Sequence, residues 1–82
     1  MYYSNGDRYE GEWKNNIREG KGIIYYKDGN SYEGEFKNDK KDGRGINYYN
    51  NGNREMGNYL NDKKIGKHVK LTKDGEASVH EY

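Results

Sequence analysis

The chain has 82 residues, enough for one small domain, and its 15 basic and 14 acidic residues give a net charge of +1. No apolar run is long enough for a membrane-spanning helix or for the apolar stretch of a signal peptide. Cysteine is absent, which excludes disulfides and thiolate metal sites and is typical of a reducing compartment such as the cytoplasm. The balanced charge argues against a dedicated nucleic-acid-binding protein, which normally carries a large positive excess.

Aromatic rings must supply much of the core. Only 29% of the residues are hydrophobic, but 15% are aromatic, and ten of these are tyrosines. Each large ring buries roughly 150–250 Å², so a few of them can replace many aliphatic side chains. A chain of this size buries only about 60% of its unfolded surface, so a deep enclosed substrate pocket is not expected.

A 23-residue repeat organises the chain. The segment 9–15 (YEGEWKN) aligns with 32–38 (YEGEFKN) and with 55–61 (EMGNYLN). The segment 20–29 (GKGIIYYKDG) recurs at 43–52 and, weakened, at 66–75. Self-similarity at a fixed period is the signature of a repeat architecture. It predicts one domain over 1–82, with a half unit at 2–8, units at 9–31 and 32–54, and a degenerate capping unit at 55–82.

Each unit predicts two antiparallel strands. The first alternates, so Tyr9, Gly11 and Trp13 share one face, and the second covers the apolar run 23–26. Asn-Gly and Asp-Gly pairs at 5–6, 28–29, 51–52 and 74–75 predict type I′ turns between units, and residues 15–21 predict a longer loop inside the unit. No helical period is present, so the expected fold is an all-β meander of stacked antiparallel hairpins with about seven strands.

The pattern predicts the strands but leaves two alternatives for which face of the second strand is buried. Positions 23 and 25 are apolar in every unit, which favours that parity as the buried one, although a one-residue slip would bury positions 24 and 26 instead. Gly11 and Gly34 lie between two aromatics on one face. We expect the missing side chain to leave room for a ring from the next unit.

Residues 9–22 and 32–45 resemble the MORN repeat, whose pattern is Tyr-x-Gly-x-Trp, a loop, Gly-x-Gly and an Asp-Gly turn. The resemblance implies a single elongated, twisted and grooved sheet with a non-catalytic binding or scaffolding role, often at membranes or the cytoskeleton. The family often has aromatics at positions 24 and 26, which favours the second parity. The departures from the pattern are Asn16, Asp39 and Asp62 for a loop glycine, Phe36 and Tyr59 for Trp, Glu55 for the strand Tyr, and His68 for a Gly.

The aromatic columns predict a partner-binding groove as well as a core. A single-layer sheet cannot cover both faces with its own residues, and exposed rings are natural hot spots for a protein or peptide partner. The balanced charge counts against nucleic acid as that partner. The predicted groove residues are Tyr9, Trp13, Tyr26, Tyr32, Phe36, Tyr49 and Tyr59. The glycines expected to be structural are Gly11, Gly20, Gly22, Gly34, Gly43, Gly45, Gly57 and Gly66.

An alternative partner is an anionic membrane lipid such as a phosphoinositide, which the family resemblance also implies. Basic residues near an anionic surface gain roughly 1 kcal/mol each, although lysine on a sheet edge also protects against edge pairing. Two further expectations are self-association through the N-terminal sheet edge and derivation from a larger array. The predicted lipid contacts are Lys14, Arg18, Lys37, Lys40, Lys41, Lys63 and Lys64.

No constellation in the sequence points to catalysis. The carboxylate pairs Glu10/Glu12 and Glu33/Glu35 are typical of a solvated strand face. His68 and His80 stand at vacated glycine positions, where they are expected to fill space and not to bind metal. Because no nucleophile lies beside a base, we expect no enzymatic activity, no catalytic residue, no metal and no cofactor.

Overall fold

A computed structural model describes residue 3 and residues 5–82, so the predicted half unit at 2–8 falls partly on residues 2 and 4, outside the described residues. Seven strands each pair antiparallel with the next, so the order in the sheet is the order in the chain. This confirms the predicted all-β meander in a single sheet, which measures 40 × 25 × 16 Å. The strands are β1 (Arg8–Lys14), β2 (Ile17–Tyr25), β3 (Ser31–Lys37), β4 (Lys40–Tyr48), β5 (Arg54–Leu60), β6 (Lys63–Leu71) and β7 (Ala77–Glu81).

The two kinds of hairpin connection are the reverse of those predicted. Inside each unit the strands are joined by a two-residue turn, at 15–16, 38–39 and 61–62, and all six residues have φ between 50° and 70°. Asn and Asp tolerate this left-handed conformation, which a type I′ turn needs at both positions. The predicted longer loop at 15–21 is therefore wrong.

The connections between units are longer, and in each of them glycine is the residue that takes a positive φ. In the loop 26–30, Gly29 has a φ of 96°, whereas the φ of Asp28 is negative. The Gly29 N–H donates to the Tyr26 carbonyl at 3.0 Å. The Asn-Gly and Asp-Gly pairs do join the units, but the predicted type I′ geometry at these pairs is wrong, because only the glycine takes a positive φ.

One face of the sheet, called here the ring face, contains the core. Tyr9, Tyr32, Phe36 and Tyr59 are at most 3% exposed there, and Ile24 is 6% exposed. The preferred burial of positions 23 and 25 is therefore wrong, and positions 24 and 26 face the core. The reason is that residue 22 must face the tyrosine ring of its own unit, and residue 24 shares its parity.

Each strand tyrosine lies over glycines of its own unit. A Cβ on Gly22 would overlap the Tyr9 ring, and a Cβ on Gly45 would overlap the Tyr32 ring. The Tyr9 hydroxyl donates to the Glu12 carbonyl at 2.9 Å, which holds the ring flat across the strands. The expectation that the glycine accommodates a ring from the next unit is wrong, although the glycines do make the space.

The rings contact one another edge to face in one continuous ladder along the sheet. Their centroids are 4.9–5.4 Å apart and their planes meet at 79–89°. Such pairs contribute about 0.5–1.5 kcal/mol each beyond the burial of their area. The ladder therefore links each unit to the next. Its members, in order, are Trp13, Tyr9, Phe36, Tyr32, Tyr59, His68 and Tyr82.

Candidate functional site

A column of cations covers the ring ladder. Arg18, Lys41 and Lys64 occupy the same position in successive units, and each places its charge over a ring. The Arg18 guanidinium is 5.0 Å from the centre of the Phe36 ring and donates to Asp39 Oδ1 at 2.7 Å. Cations on aromatic faces stabilise by about 0.5–2 kcal/mol, and their stems exclude water from the rings. These three side chains therefore hold the core together. Although they belong to the predicted lipid contacts, their charges are engaged with the rings.

The predicted aromatic groove divides into a buried and an accessible part. Four of its seven rings are at most 3% exposed and belong to the core. A partner can still contact Trp13, which is 40% exposed, and Tyr26 and Tyr49, which are half-buried. The buried rings are Tyr9, Tyr32, Phe36 and Tyr59.

The opposite face carries an open groove of about 890 Å³, and this face is called here the groove face. Its floor is the backbone of the glycine row that runs from Gly11 on β1 to Gly57 on β5. On the ring face these glycines are covered by the tyrosine rings and, at Gly57, by the His68 ring. Because their Cβ positions point to that face, the groove floor is bare backbone between two rows of side chains.

One wall of the groove becomes increasingly apolar along the sheet. Over β1 and β3 it carries Glu10 and Glu33, but over β4 to β6 it is apolar, and Val79 on β7 continues the same row in register beyond the groove. Three of them are among the exposed large hydrophobics of the chain, at 38%, 39% and 64% exposure for Met56, Val69 and Val79. This row, called here the apolar row, consists of Ile46, Met56, Val69 and Val79.

The tips of the short hairpins line one edge of the sheet. The Asp39 N–H donates to the Arg18 carbonyl at 3.0 Å, and the Asp62 N–H donates to the Lys41 carbonyl at 2.9 Å, so successive tips are tied together. Four lysines of the predicted lipid set are exposed at these tips, and they form a separate cationic edge. They are Lys14, Lys37, Lys40 and Lys63.

Comparison with protein families matches the MORN repeat at residues 9–31 and 32–54, which is more than half of the chain. The chain belongs to the MORN repeat family. MORN repeats are known as repeat modules in binding and scaffold proteins. Comparison with curated proteins gave no match.

The third unit departs from the MORN pattern at two positions that compensate for each other. Glu55 stands where the first two repeats have the strand tyrosine, and His68 stands where they have the second glycine of the pair. The His68 ring lies over Gly57, and its Nε2 is 2.9 Å from the Asn58 carbonyl. That carbonyl has the same place in the unit as the one that accepts from the tyrosine hydroxyl. A ring from β6 therefore replaces the ring that β5 lacks.

The carboxylate of Glu55 is fully buried and has four polar neighbours. Its Oε1 accepts from Lys64 Nζ at 2.9 Å and from the Tyr49 hydroxyl at 3.3 Å, and its Oε2 accepts from the Tyr82 hydroxyl at 3.1 Å. Nδ1 of His68 lies 3.0 Å from Oε2. Nε2 of His68 faces a carbonyl and Nδ1 faces the carboxylate, so both ring nitrogens are directed at oxygen atoms in the interior of the sheet.

The neighbours of this cluster decide its charges. Burial alone would raise the pKa of Glu55, but the hydrogen bonds from Lys64 and Tyr82 outweigh it and hold that pKa below its ordinary value. Burial alone would lower the pKa of Lys64, but the hydrogen bond to Glu55 reverses the effect and raises it. Burial also raises the pKa of Tyr59 to about 12, so its phenol stays neutral. The charged forms of Glu55 and Lys64 are thus both favoured in the folded state.

The buried acid and histidine have a structural role. Glu55 and His68 are both 0% exposed, so no substrate reaches them in this conformation. Sequence reasoning expected His68 to fill space, as it does, but missed its pairing with Glu55. The available signal was that the two departures fall in the same unit.

The remaining candidate residues lie in unremarkable surroundings. Glu12 Oε1 accepts from the Lys21 N–H at 3.1 Å, so this carboxylate supports the strand and is not part of a catalytic pair. Gly20 and Gly43 have φ of 85° and 100°, and Gly66 has φ of 69°. Within the described part of the chain, no three His, Asp or Glu side chains are grouped so as to hold a metal ion. No helix in that part could cross a membrane.

Proposed function

We propose that this MORN-repeat protein is a non-catalytic scaffold module that binds a protein partner at a membrane or the cytoskeleton, and that the partner lies on the groove face. The observation that supports this is the apolar row beside the glycine floor. Large apolar side chains exposed as a contiguous strip normally mark an interaction surface, whereas scattered ones do not. On the ring face most of the predicted contact rings are used internally, so less apolar surface is left for a partner.

Capture from an extract of the source cell tests this function. The immobilised chain is compared with a variant that carries Met56→Glu and Val69→Glu, and with Leu60→Glu as the control. Leu60 is 50% exposed at a hairpin end, so its replacement adds one negative charge away from the row, compared with two on the row in the double variant. Proteins recovered with the original chain and with Leu60→Glu, but lost with the double variant, support the proposal. Recovery that is equal on all three contradicts it.

The accessible rings on the ring face are examined in the same experiment. Trp13→Ala removes a ring that is 40% exposed and stands at one end of the ladder. If the partner used the originally predicted aromatic groove, this variant would lose it while the groove-face variant kept it.

The second candidate function is binding of an anionic phospholipid through the exposed hairpin-tip lysines. It is favoured by the alignment of these tips along one edge, since each lysine near an anionic surface adds roughly 1 kcal/mol. The test is sedimentation with phosphoinositide vesicles over a range of salt concentrations. Lys40→Glu with Lys63→Glu is expected to abolish binding, and Lys27→Glu with Lys73→Glu, exposed at the other edge, is the matched control. Absence of salt-sensitive binding by the original chain rejects this candidate.

A further inference from the structure

We infer that the groove face accepts an amphipathic α-helix that lies across the strands and carries acidic residues along one flank. This inference rests on the proposed function, because it names the kind of segment that the protein partner contributes. Three features of the groove face support it: the direction of the apolar row, the exposed backbone of its floor, and the spacing of its cations.

The apolar row runs perpendicular to the strands. Ile46 pairs with Met56, Met56 with Val69, and Val69 with Val79, so the four side chains cross β4 to β7 in a straight line. With strands about 4.8 Å apart, this line is roughly 14 Å long. A helix covers that length with about ten residues, which brings three or four side chains of one face onto the row.

The backbone chemistry of the floor favours a helix over an extended segment. The inner strands β2 to β6 already use their N–H and C=O groups in ladders with both neighbours. An extended segment crossing the face would find no partners for its own backbone groups, whose burial without hydrogen bonds is costly. A helix satisfies those groups internally. Gly45 and Gly57 place no side chain in the groove, so the helix can approach closely.

The second wall of the groove supplies the charge. Lys21, Arg44 and Lys67 line it at the same position of successive units, on β2, β4 and β6. Alternate strands are about 9.6 Å apart, and seven residues of helix rise about 10.5 Å. Acidic side chains seven residues apart would therefore meet consecutive cations. A basic column beside an apolar strip complements a helix with an acidic flank.

Fewer carboxylates lie near these cations at the C-terminal end of the groove. In the first two units a glutamate on the neighbouring strand bonds the backbone of the cationic residue: Glu12 Oε1 accepts from the backbone N–H of Lys21 at 3.1 Å, and Glu35 Oε1 from that of Arg44 at 3.0 Å. In the third unit Asn58 takes the place of that glutamate. Glu81 lies opposite Lys67 on β7 and is the acid that a partner carboxylate would compete with. The cations are thus most available where the row is most apolar.

The test is selection from a random 20-residue peptide library displayed on phage and panned against the full chain. Counter-selection uses the folded variant Met56→Glu with Val69→Glu. We expect enriched peptides with apolar residues at i, i+3, i+4 and i+7 and with Asp or Glu repeated at seven-residue spacing. A synthetic copy should gain helical circular dichroism on binding. Its Kd should weaken by at least about tenfold with Arg44→Glu plus Lys67→Glu, but not with Lys27→Glu plus Lys73→Glu.

Several outcomes would overturn the inference. These are no enrichment, enriched peptides that are basic or rich in proline, and binding without a gain in helicity. Failure of the proposed function would look different, since natural proteins would then not be captured in a groove-dependent manner. Groove-dependent capture together with selected peptides that bind in an extended form would reject the helix and leave the scaffold function standing.

Discussion

Single glycines in this protein serve two separable purposes. Gly45 is needed for space, because its Cβ would overlap the Tyr32 ring, and that ring is confined between Phe36 and Tyr59. Gly66 is needed for conformation, because it has a φ of 69° and nothing lies within 4 Å of its Cβ position. The same substitution therefore tests a steric effect at Gly45 and a backbone effect at Gly66.

Gly45→Ala is expected to lower the free energy of unfolding by about 3 kcal/mol, because the confined ring cannot move aside. Gly66→Ala should cost only about 1–2 kcal/mol, the usual penalty for a left-handed alanine. Urea unfolding followed by circular dichroism measures both. A smaller loss at position 45 than at position 66 would show that the ring does not depend on the glycine.

At the scale of the strand pair, β5 and β6 exchange the roles that their counterparts have in the first two units. There, the first strand supplies the ring and the second supplies the glycine. In the third unit the second strand supplies the ring through His68, and Oε2 of Glu55 on the first strand lies 3.0 Å from Nδ1 of that ring. Each change would be destructive alone, since either an unfilled space over Gly57 or a second ring in that space would result.

Restoring the repeat pattern tests this exchange. Glu55→Tyr alone should place a ring against His68, and His68→Gly alone should leave a cavity over Gly57 beside the buried carboxylate, so each is expected to cost about 3–5 kcal/mol. The combined variant should recover most of this loss, with a coupling of at least about 2 kcal/mol in a double-mutant cycle. Additive losses would mean that the two positions do not share one space.

The same cluster predicts a response to acid. Because the pKa of Glu55 in the folded state lies below its ordinary value of 4.5, its carboxylate stabilises the fold above that pH. This stabilisation is lost as the pH falls through the lowered pKa. Thermal unfolding between pH 7 and pH 3 is compared with the combined Glu55→Tyr and His68→Gly variant. The difference in stability should shift in favour of the variant as the pH falls below 4.5, and a difference independent of pH contradicts the role of the carboxylate.

The whole molecule behaves as a linear array, because each strand contacts mainly its neighbours. The central strand β3 holds two buried rings that contact rings on both sides, and β4 lies beside it, whereas every residue of β7 is exposed. In such an array the ends open more readily than the middle.

Hydrogen exchange at single amides should reveal this gradient. Amides of β3 and β4 are expected to exchange at least about tenfold more slowly than those of β7. Phe36→Ala, which breaks the ladder in the middle, should raise exchange across the central strands. Uniform protection along the chain would show that the sheet opens as one cooperative unit.

The repeat length, the presence of two strands in each unit, the places where units are joined and the columns of rings and glycines follow from the sequence alone, because the same residue types return every 23 positions. Contact between strands decides which residues form the core. Alternation along one strand is identical for both faces, so only the overlap of the Tyr9 ring with Gly22 shows that Ile24 is inside. The pairing of Glu55 with His68 and the straight apolar row depend likewise on cross-strand register, which no single strand encodes.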